Sequence, residues 1–462
     1  MRSQSGVSAL VLAAAALCPV LGGCGDETID LNPPVMMQQQ GLCGGMPAQI
    51  LTGNIDKDLQ LTADKRWLVV GQVKVMANTT LRIEPGTVVC GDASDPTKVS
   101  FLNVEQDAKL IADGTAARPI VFTSSKAVGE RKTSDWGGVV LRGRAQINLP
   151  PGDKTACGNL EGNAGSYGPC GTLRNDDNSG TLRYVRIEFA GREVAPNNEL
   201  NGLTLGAVGS GTVIDYVQVH RGSDDGFEMF GGTVNLSHLV ATAGLDDAFD
   251  WDQGWQGKGQ FWVSQQILQD GNNGIEADNN RDNNALLPRS SPTIFNVTLV
   301  GTGRGSQTKG EKRFAMTLRQ GTDGMLRNVV ALGFKDLGVV VSQESTCTEL
   351  FADRLSVGSS LFWDNGADAT SNVSNITTVG AVACDVKAWL VGKGNQEKDP
   401  QLRTPYDLTQ PDFRPTAASP ALAGAATPPA GDAFFAPASY LGAFGPDDAT
   451  NWIAGWTAFP QN

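Results

Sequence analysis

The sequence predicts an all-β chain wound as a parallel β-helix, with a C-terminal cap. Three observations carry this reading: abundant turn formers, short runs alternating apolar and polar residues, and one strand pattern repeated along the middle of the chain. Glycine supplies 56 of 462 residues, about 12% against a usual ~7%, so the chain turns often and long helices are excluded. With 40% apolar and 18% charged residues, the chain is neither disordered nor a bundle of membrane-spanning helices. The strings NGLTLG (201–206), DGFEMFGG (225–232), DAFDWDQG (247–254) and NGIEADN (273–279) recur at offsets of 24, 22 and 26. A second register, GTVIDYV (211–217), GTVNLSHLV (232–240) and GQFWVSQQIL (259–268), recurs at 21 and 27. Such a unit is too short to bury both faces of its own strands. Stacking solves this, because each coil rests on its neighbours and pairs its backbone with theirs. A leucine-rich repeat would need a helical half-repeat, and a β-sandwich would not keep one period with matched side chains.

From the N-terminus, residues 1–23 read as a targeting segment with Arg2, an apolar run from Val7 to Leu17, and Leu21-Gly22-Gly23 before Cys24. The run is too short to span a bilayer. LGGC resembles the bacterial lipobox, and that resemblance implies export, with acyl chains on Cys24 as the mature first residue. Residues 24–46 read as a lipidated tether, 47–400 as ten to twelve coils of the β-helix, and 401–462 as a Pro- and aromatic-rich segment capping the last coil. Six further cysteines in an exported chain point to disulfides, and the sequence-local set is Cys43–Cys90, Cys157–Cys170 and Cys347–Cys384. The net charge of −13 opposes nucleic acid as a partner. It leaves the membrane through the anchor, and a polysaccharide or an envelope protein.

The strings IEPGT, LIADGTAARPIVFTS, DWGGVVLRGRA, LRYVRIEFAG, NGLTLGAVGSGT and DDGFEMFGGTV resemble a family of bacterial surface lipoproteins with the right-handed parallel β-helix, pectin-lyase-like fold. The resemblance covers residues 50–460 and implies the fold, but no single reaction, since the fold carries lyases, hydrolases, adhesins and inert rods. Polygalacturonase-like members carry NTD, a DD pair, GHG and RxK. This chain has Asp224-Asp225 and Asp246-Asp247 but neither GHG nor RxK.

Strand alternation turns Phe227, Met229, Phe249, Trp251, Ile275 and Ala277 inward, and so Glu228, Asp250 and Glu276 outward in one column. Asp252 and Asp278 form a second column, and Asp224, Asp225, Asp246 and Asp247 crowd the preceding turns. Two carboxylates about 5 Å apart repel by roughly 3 kcal/mol at an effective dielectric of 20, so something must relieve the cluster. Three readings follow. Calcium, taking many oxygen ligands and available outside the cell, would sit on Glu228, Asp250, Asp252, Glu276, Asp278, Asp225 and Asp247. Turn-forming aspartates with solvated carboxylates are the plain reading. A catalytic pair is the third, with Glu228, Asp250, Arg221 and His220 as candidates, because glycosidases use two carboxyls at separations that neighbouring rungs supply. Arg281 and Arg319 are further nearby cations. His220 is expected at the surface, and Trp255 and Trp262 beside the patch are candidates for stacking on sugar rings. The expectation is an exported, lipid-anchored module on the outer membrane or cell surface, binding polysaccharide or a protein partner, with calcium. The alternatives are a calcium-dependent polysaccharide lyase or glycoside hydrolase, and a purely structural rod.

Overall fold

The computed structural model describes residues 40–149, 156–196, 198–268, 271–304, 313–366, 377–379 and 382–462. Cys24, the targeting segment and most of the tether lie outside them. Three parallel sheets run the length of the coils. The first stacks ten rungs, from the end of Met46–Ile55 through Arg66–Val75, Phe101–Val104, Val139–Arg142, Leu203–Gly206, Phe227–Phe230, Phe249–Asp252, Ile275–Ala277 and Phe314–Leu318 to Leu337–Val341. The second runs from Leu59–Leu61 to Leu355–Gly358. The third runs from the start of Met46–Ile55 to Gln396–Glu397. Inward residues from all three form one continuous core from Leu51 to Leu390, as coil stacking requires. Gln40–Cys43 folds back antiparallel on Met46–Ile55 and occupies the edge of the first coil. Among the described residues no helix is long and apolar enough to cross a membrane.

Six long strands serve the second and third sheets in turn, and each bends at one non-glycine residue with positive φ: Tyr184, Tyr216, His238, Phe261, Asn296 and Asn328. A left-handed non-glycine residue costs about 1–2 kcal/mol. Here the bend throws side chains into an external stack, with centroids 4.4 Å apart for Tyr184 and Tyr216, 4.0 Å for Tyr216 and His238, and 5.0 Å for His238 and Phe261. Aromatic pairs of this kind return about 0.5–1.5 kcal/mol beyond their area.

Three disulfides join Cys43 to Cys90, Cys157 to Cys170 and Cys347 to Cys384. The C-terminal segment differs from expectation. It lies along the side of the coils, covering the outward face of the third sheet, where Val240, Val263, Val330 and Leu361 meet Phe413, Leu441, Phe444, Ile453 and Trp456. Side-chain amides clamp its backbone. Gln218 donates to Ala458 O at 2.8 Å and accepts from Ala458 N at 3.0 Å; Gln260 pairs likewise with Ala436, and Asn328 with Ala426. The segment thus removes a contiguous apolar patch on this sheet from solvent.

Candidate functional site

The outward face of the first sheet carries the acidic cluster. Register places Thr204, Glu228, Asp250, Glu276 and Thr317 in one column. Their inward neighbours Phe227, Met229, Phe249, Trp251, Ile275 and Ala277 are fully buried. Asp252 and Asp278 follow in the next outward column, after Arg142, Gly206 and Phe230. In the preceding turns, Asp225 and Asp247 accept the backbone N–H of the next coil, Asp247 N at 3.1 Å and Asn273 N respectively.

The carboxylates are withdrawn from water to different degrees: Asp224, Glu228, Asp246, Asp250, Asp252 and Glu276 are half-buried, and three are buried. Asp225, Asp247 and Asp278 are 7%, 4% and 5% exposed, and the chain itself walls the site. The insertion at 143–179, stapled by Cys157–Cys170, lies over the earlier rungs: Asn103 donates to Ala164 O and Arg142 to Ser166 O. Leu160 and Tyr167 pack with Phe101, Val140 and Phe230. Tyr167 donates to Gln253 beside the patch, and burial, then the Asp252 charge, pushes its phenol up. On the far side, Arg319 donates to both oxygens of Asp278 at 2.7 and 2.9 Å and also bonds Glu276. Arg281 is exposed, and its charge acts on Asp252 and Asp278.

Two sets of three carboxylates bring ligand oxygens within 4.8 Å of one another: Asp225, Glu228 and Asp250, and one coil on, Asp247, Asp250 and Glu276. Asp250 belongs to both. A third set joins Asp224, Asp225 and Asp246 in the turns. Burial pushes Asp225, Glu228, Asp247, Asp250 and Asp252 well above the ordinary carboxylate range, and neighbouring carboxylates add to it. Asp224 rises to about 8 and Glu276 to about 7, burial again leading. The two triads differ in their partners. Glu276 has Arg319, whereas Glu228 receives a hydrogen bond from Asn201. The buried atoms Asp250 Oδ1, Asp252 Oδ1 and Asn201 Oδ1 have no hydrogen-bond partner among the described residues. Carboxylate oxygens gathered in this way suit a hard cation. These clusters can hold a metal ion.

The structure corrects several candidates. Trp255 and Trp262 do not stack on a ligand: both are fully buried, in a column with Trp251 and Phe249, and donate to Val234 O and Leu236 O. Turn 253–256 folds its tryptophan inward over the coil, which alternation along a strand does not foresee. His220 is 1% exposed, not a surface group. Its Nε2 meets Pro460 O at 2.8 Å and its Nδ1 the Thr242 hydroxyl at 2.8 Å, and burial pushes its pKa down to about 3. Arg221 beside it donates to Pro460 O and Gln461. Both hold the C-terminal segment. Sequence reasoning missed Asn201 and Tyr167, whose approach depends on a turn and an insertion. The only signal was the position of Asn201 one coil before Asp225.

Residues 53–404 match the family model of the pectate-lyase-like beta helix domain. The chain belongs to that family. Its parallel β-helix, with disulfides and an acidic outward face, is thus the right-handed pectate-lyase-like solenoid, a fold associated with polysaccharides. Among solved structures, the crystal structure of pectate lyase Pel9A is similar at 15% identity, over 87% of this chain and 86% of that one, with a TM-score of 0.35, too low to carry an argument about the site. No curated protein matches the chain.

Proposed function

We propose that this pectate-lyase-like β-helix is a lipid-anchored envelope protein, on the outer membrane or cell surface, that binds polysaccharide through calcium on its acidic face without cleaving it. The observation that carries the reading is the triad Asp225, Glu228 and Asp250, in which Asp250 Oδ1 has no hydrogen-bond partner among the described residues, with the equally unpartnered Asn201 Oδ1 on the residue that bonds Glu228. Calcium takes six to eight oxygens, so three carboxylates and Asn201 leave positions for oxygens of a glycan. The ion would supply charge neutralisation and a bridge to hydroxyl or carboxylate groups of the polymer. Binding rather than turnover is supported by how the basic side chains are engaged: His220 and Arg221 hold the C-terminal segment, and Arg319 is taken by Glu276 and Asp278.

A cleavage reading has one observation in its favour, the exposed Arg281 beside Asp252 and Asp278. The two separate in one experiment. The full chain is passed over immobilised plant and bacterial polysaccharides with calcium or EGTA, and the eluates are assayed for unsaturated products and new reducing ends. Calcium-dependent retention without products, abolished in Asp250→Asn, is the expected result. Products lost in Arg281→Ala would establish cleavage instead, and retention indifferent to EGTA and to Asp250→Asn would overturn the site. For the anchor, Cys24→Ala is expected to release the protein from membranes, and unchanged fractionation would overturn that part.

A further inference from the structure

The end of the β-helix nearest the N-terminal tether differs from the rest of this acidic protein. The hairpin of Gln40–Cys43 and Met46–Ile55 exposes Leu42 at 58% and Met46 at 53%. Its turn is pinned to the loop after Ile120–Ser124, since Gly44 N donates to Ser125 O at 2.9 Å. That loop, 125–132, exposes Val128 at 75%. Around the same turn stand Arg66 and Arg131, both within 4 Å of the place a Gly44 Cβ would take. Among the described residues Arg66 donates to the carbonyl of Cys43, at 3.4 Å, and Arg131 to that of Lys126, at 3.1 Å. Lys65 and Lys132 are exposed beside them. Lys65 and Arg66 also line an open groove of about 510 Å³ with Met46 and Pro47. Two exposed carboxylates, Asp64 and Glu130, sit among these four cations, and Lys126 is already paired with Asp135 at 2.6 Å. The patch is therefore net positive on a chain of net charge −13, and it mixes cations with protruding apolar side chains.

We infer that this end docks onto a lipid bilayer bearing anionic phosphate headgroups, with Leu42, Met46 and Val128 entering the interface and Lys65, Arg66, Arg131 and Lys132 meeting the phosphates. Apolar tips ringed by lysine and arginine are what an interfacial contact needs, each basic residue near an anionic surface adding about 1 kcal/mol. The inference rests on the lipid anchor, but the anchor does not entail it. Fifteen residues separate Cys24 from Gln40, and at ~3.3–3.6 Å each they reach at most about 54 Å, enough to hold the domain clear of the surface. Docking replaces a loosely tethered domain with a rod of fixed footing.

The test uses the full lipidated chain added to preformed vesicles of phosphatidylcholine, with or without phosphatidylglycerol. Flotation reads the anchor, and acylation of lysines by an impermeant reagent, followed by mass spectrometry, reads the contact. The expected result is that Lys65 and Lys132 react several-fold more slowly on phosphatidylglycerol vesicles than on phosphatidylcholine alone, while exposed Lys398 is unchanged. The protection is expected to fade at high salt and in Val128→Asp, at an exposed side chain, and Arg131→Glu, at a half-buried one, neither of which belongs to the hydrophobic core. Flotation with equal reactivity at Lys65, Lys132 and Lys398 on both vesicles keeps the anchor and overturns the docking. A chain that does not float overturns both.

Discussion

Two outward faces of the same solenoid carry side chains that alternation alone would call surface, and the molecule treats them oppositely. On the third sheet, Val240, Val263, Val330 and Leu361 are covered by the chain's own last sixty residues, and outward amides are satisfied pairwise by that segment's backbone. On the first sheet, the insertion covers the earlier rungs and stops at Tyr167, leaving half-buried carboxylates on the next three rungs; Asp250 Oδ1 and Asp252 Oδ1, on the middle one, have no hydrogen-bond partner among the described residues. One face is closed by the chain; the other keeps half-buried carboxylates whose oxygens are only partly satisfied by the described residues. A solenoid side that remains half-buried and partly unsatisfied is where a ligand is to be sought.

The largest effect should come from removing the cover. Truncation after residue 400 exposes a row of valines and leucines worth about 1.5–3 kcal/mol each, a sum comparable with a domain's whole ~5–15 kcal/mol. The expected outcome is insoluble or non-cooperatively melting protein, and a soluble truncated chain with unchanged circular dichroism melting would break the contrast. A single anchor of that cover, Phe444→Ala, is expected to cost about 3–5 kcal/mol in urea unfolding, without altering response to calcium.

On the open face, calcium at a hundred times its dissociation constant should stabilise the full chain by about 2.7 kcal/mol over EGTA. Asp250→Asn, which touches both triads, should remove that gain. The pH dependence has a definite sign. Folding raises these carboxyl pKa values, so the folded state keeps protons that the unfolded chain releases. Cation-free stability is therefore fully present below about pH 4, the ordinary carboxylate value, and is lost as pH rises through about 7 for Glu276 and about 8 for Asp224. Melting temperature in EGTA should fall from pH 5 to pH 8, while calcium, which needs the charged form, should stabilise more at pH 8. A flat EGTA profile with no calcium response would place the acidic face in the same closed class as the third sheet. The smallest effect is expected at the bends. Tyr216→Gly relieves about 1–2 kcal/mol of left-handed strain but gives up the stacks on Tyr184 and His238, the edge contacts with Trp452 and Trp456 and the area its ring buries, so a net loss of about 1–2 kcal/mol is expected in urea unfolding.

The fold was legible because a β-helix writes itself into sequence with a strand period of two and a coil period near two dozen; the columns Phe227, Phe249, Ile275 and Glu228, Asp250, Glu276 follow from those periods alone. Alternation tells inward from outward at each rung. It cannot tell outward from exposed, because that depends on what lies across from the residue. Hence Trp255 folded inward through a turn, His220 vanished beneath Pro460, and Asn201 came to bond Glu228. By itself the sequence determined the coil, the facing of each strand residue and the alignment of the carboxylates, since backbone pairing between coils depends only on local periodicity. Which of those outward groups meet water, which meet the chain's own tail and which are left buried without partners was decided by the insertion and the C-terminal segment, because burial is set by contacts between parts of the chain far apart in sequence.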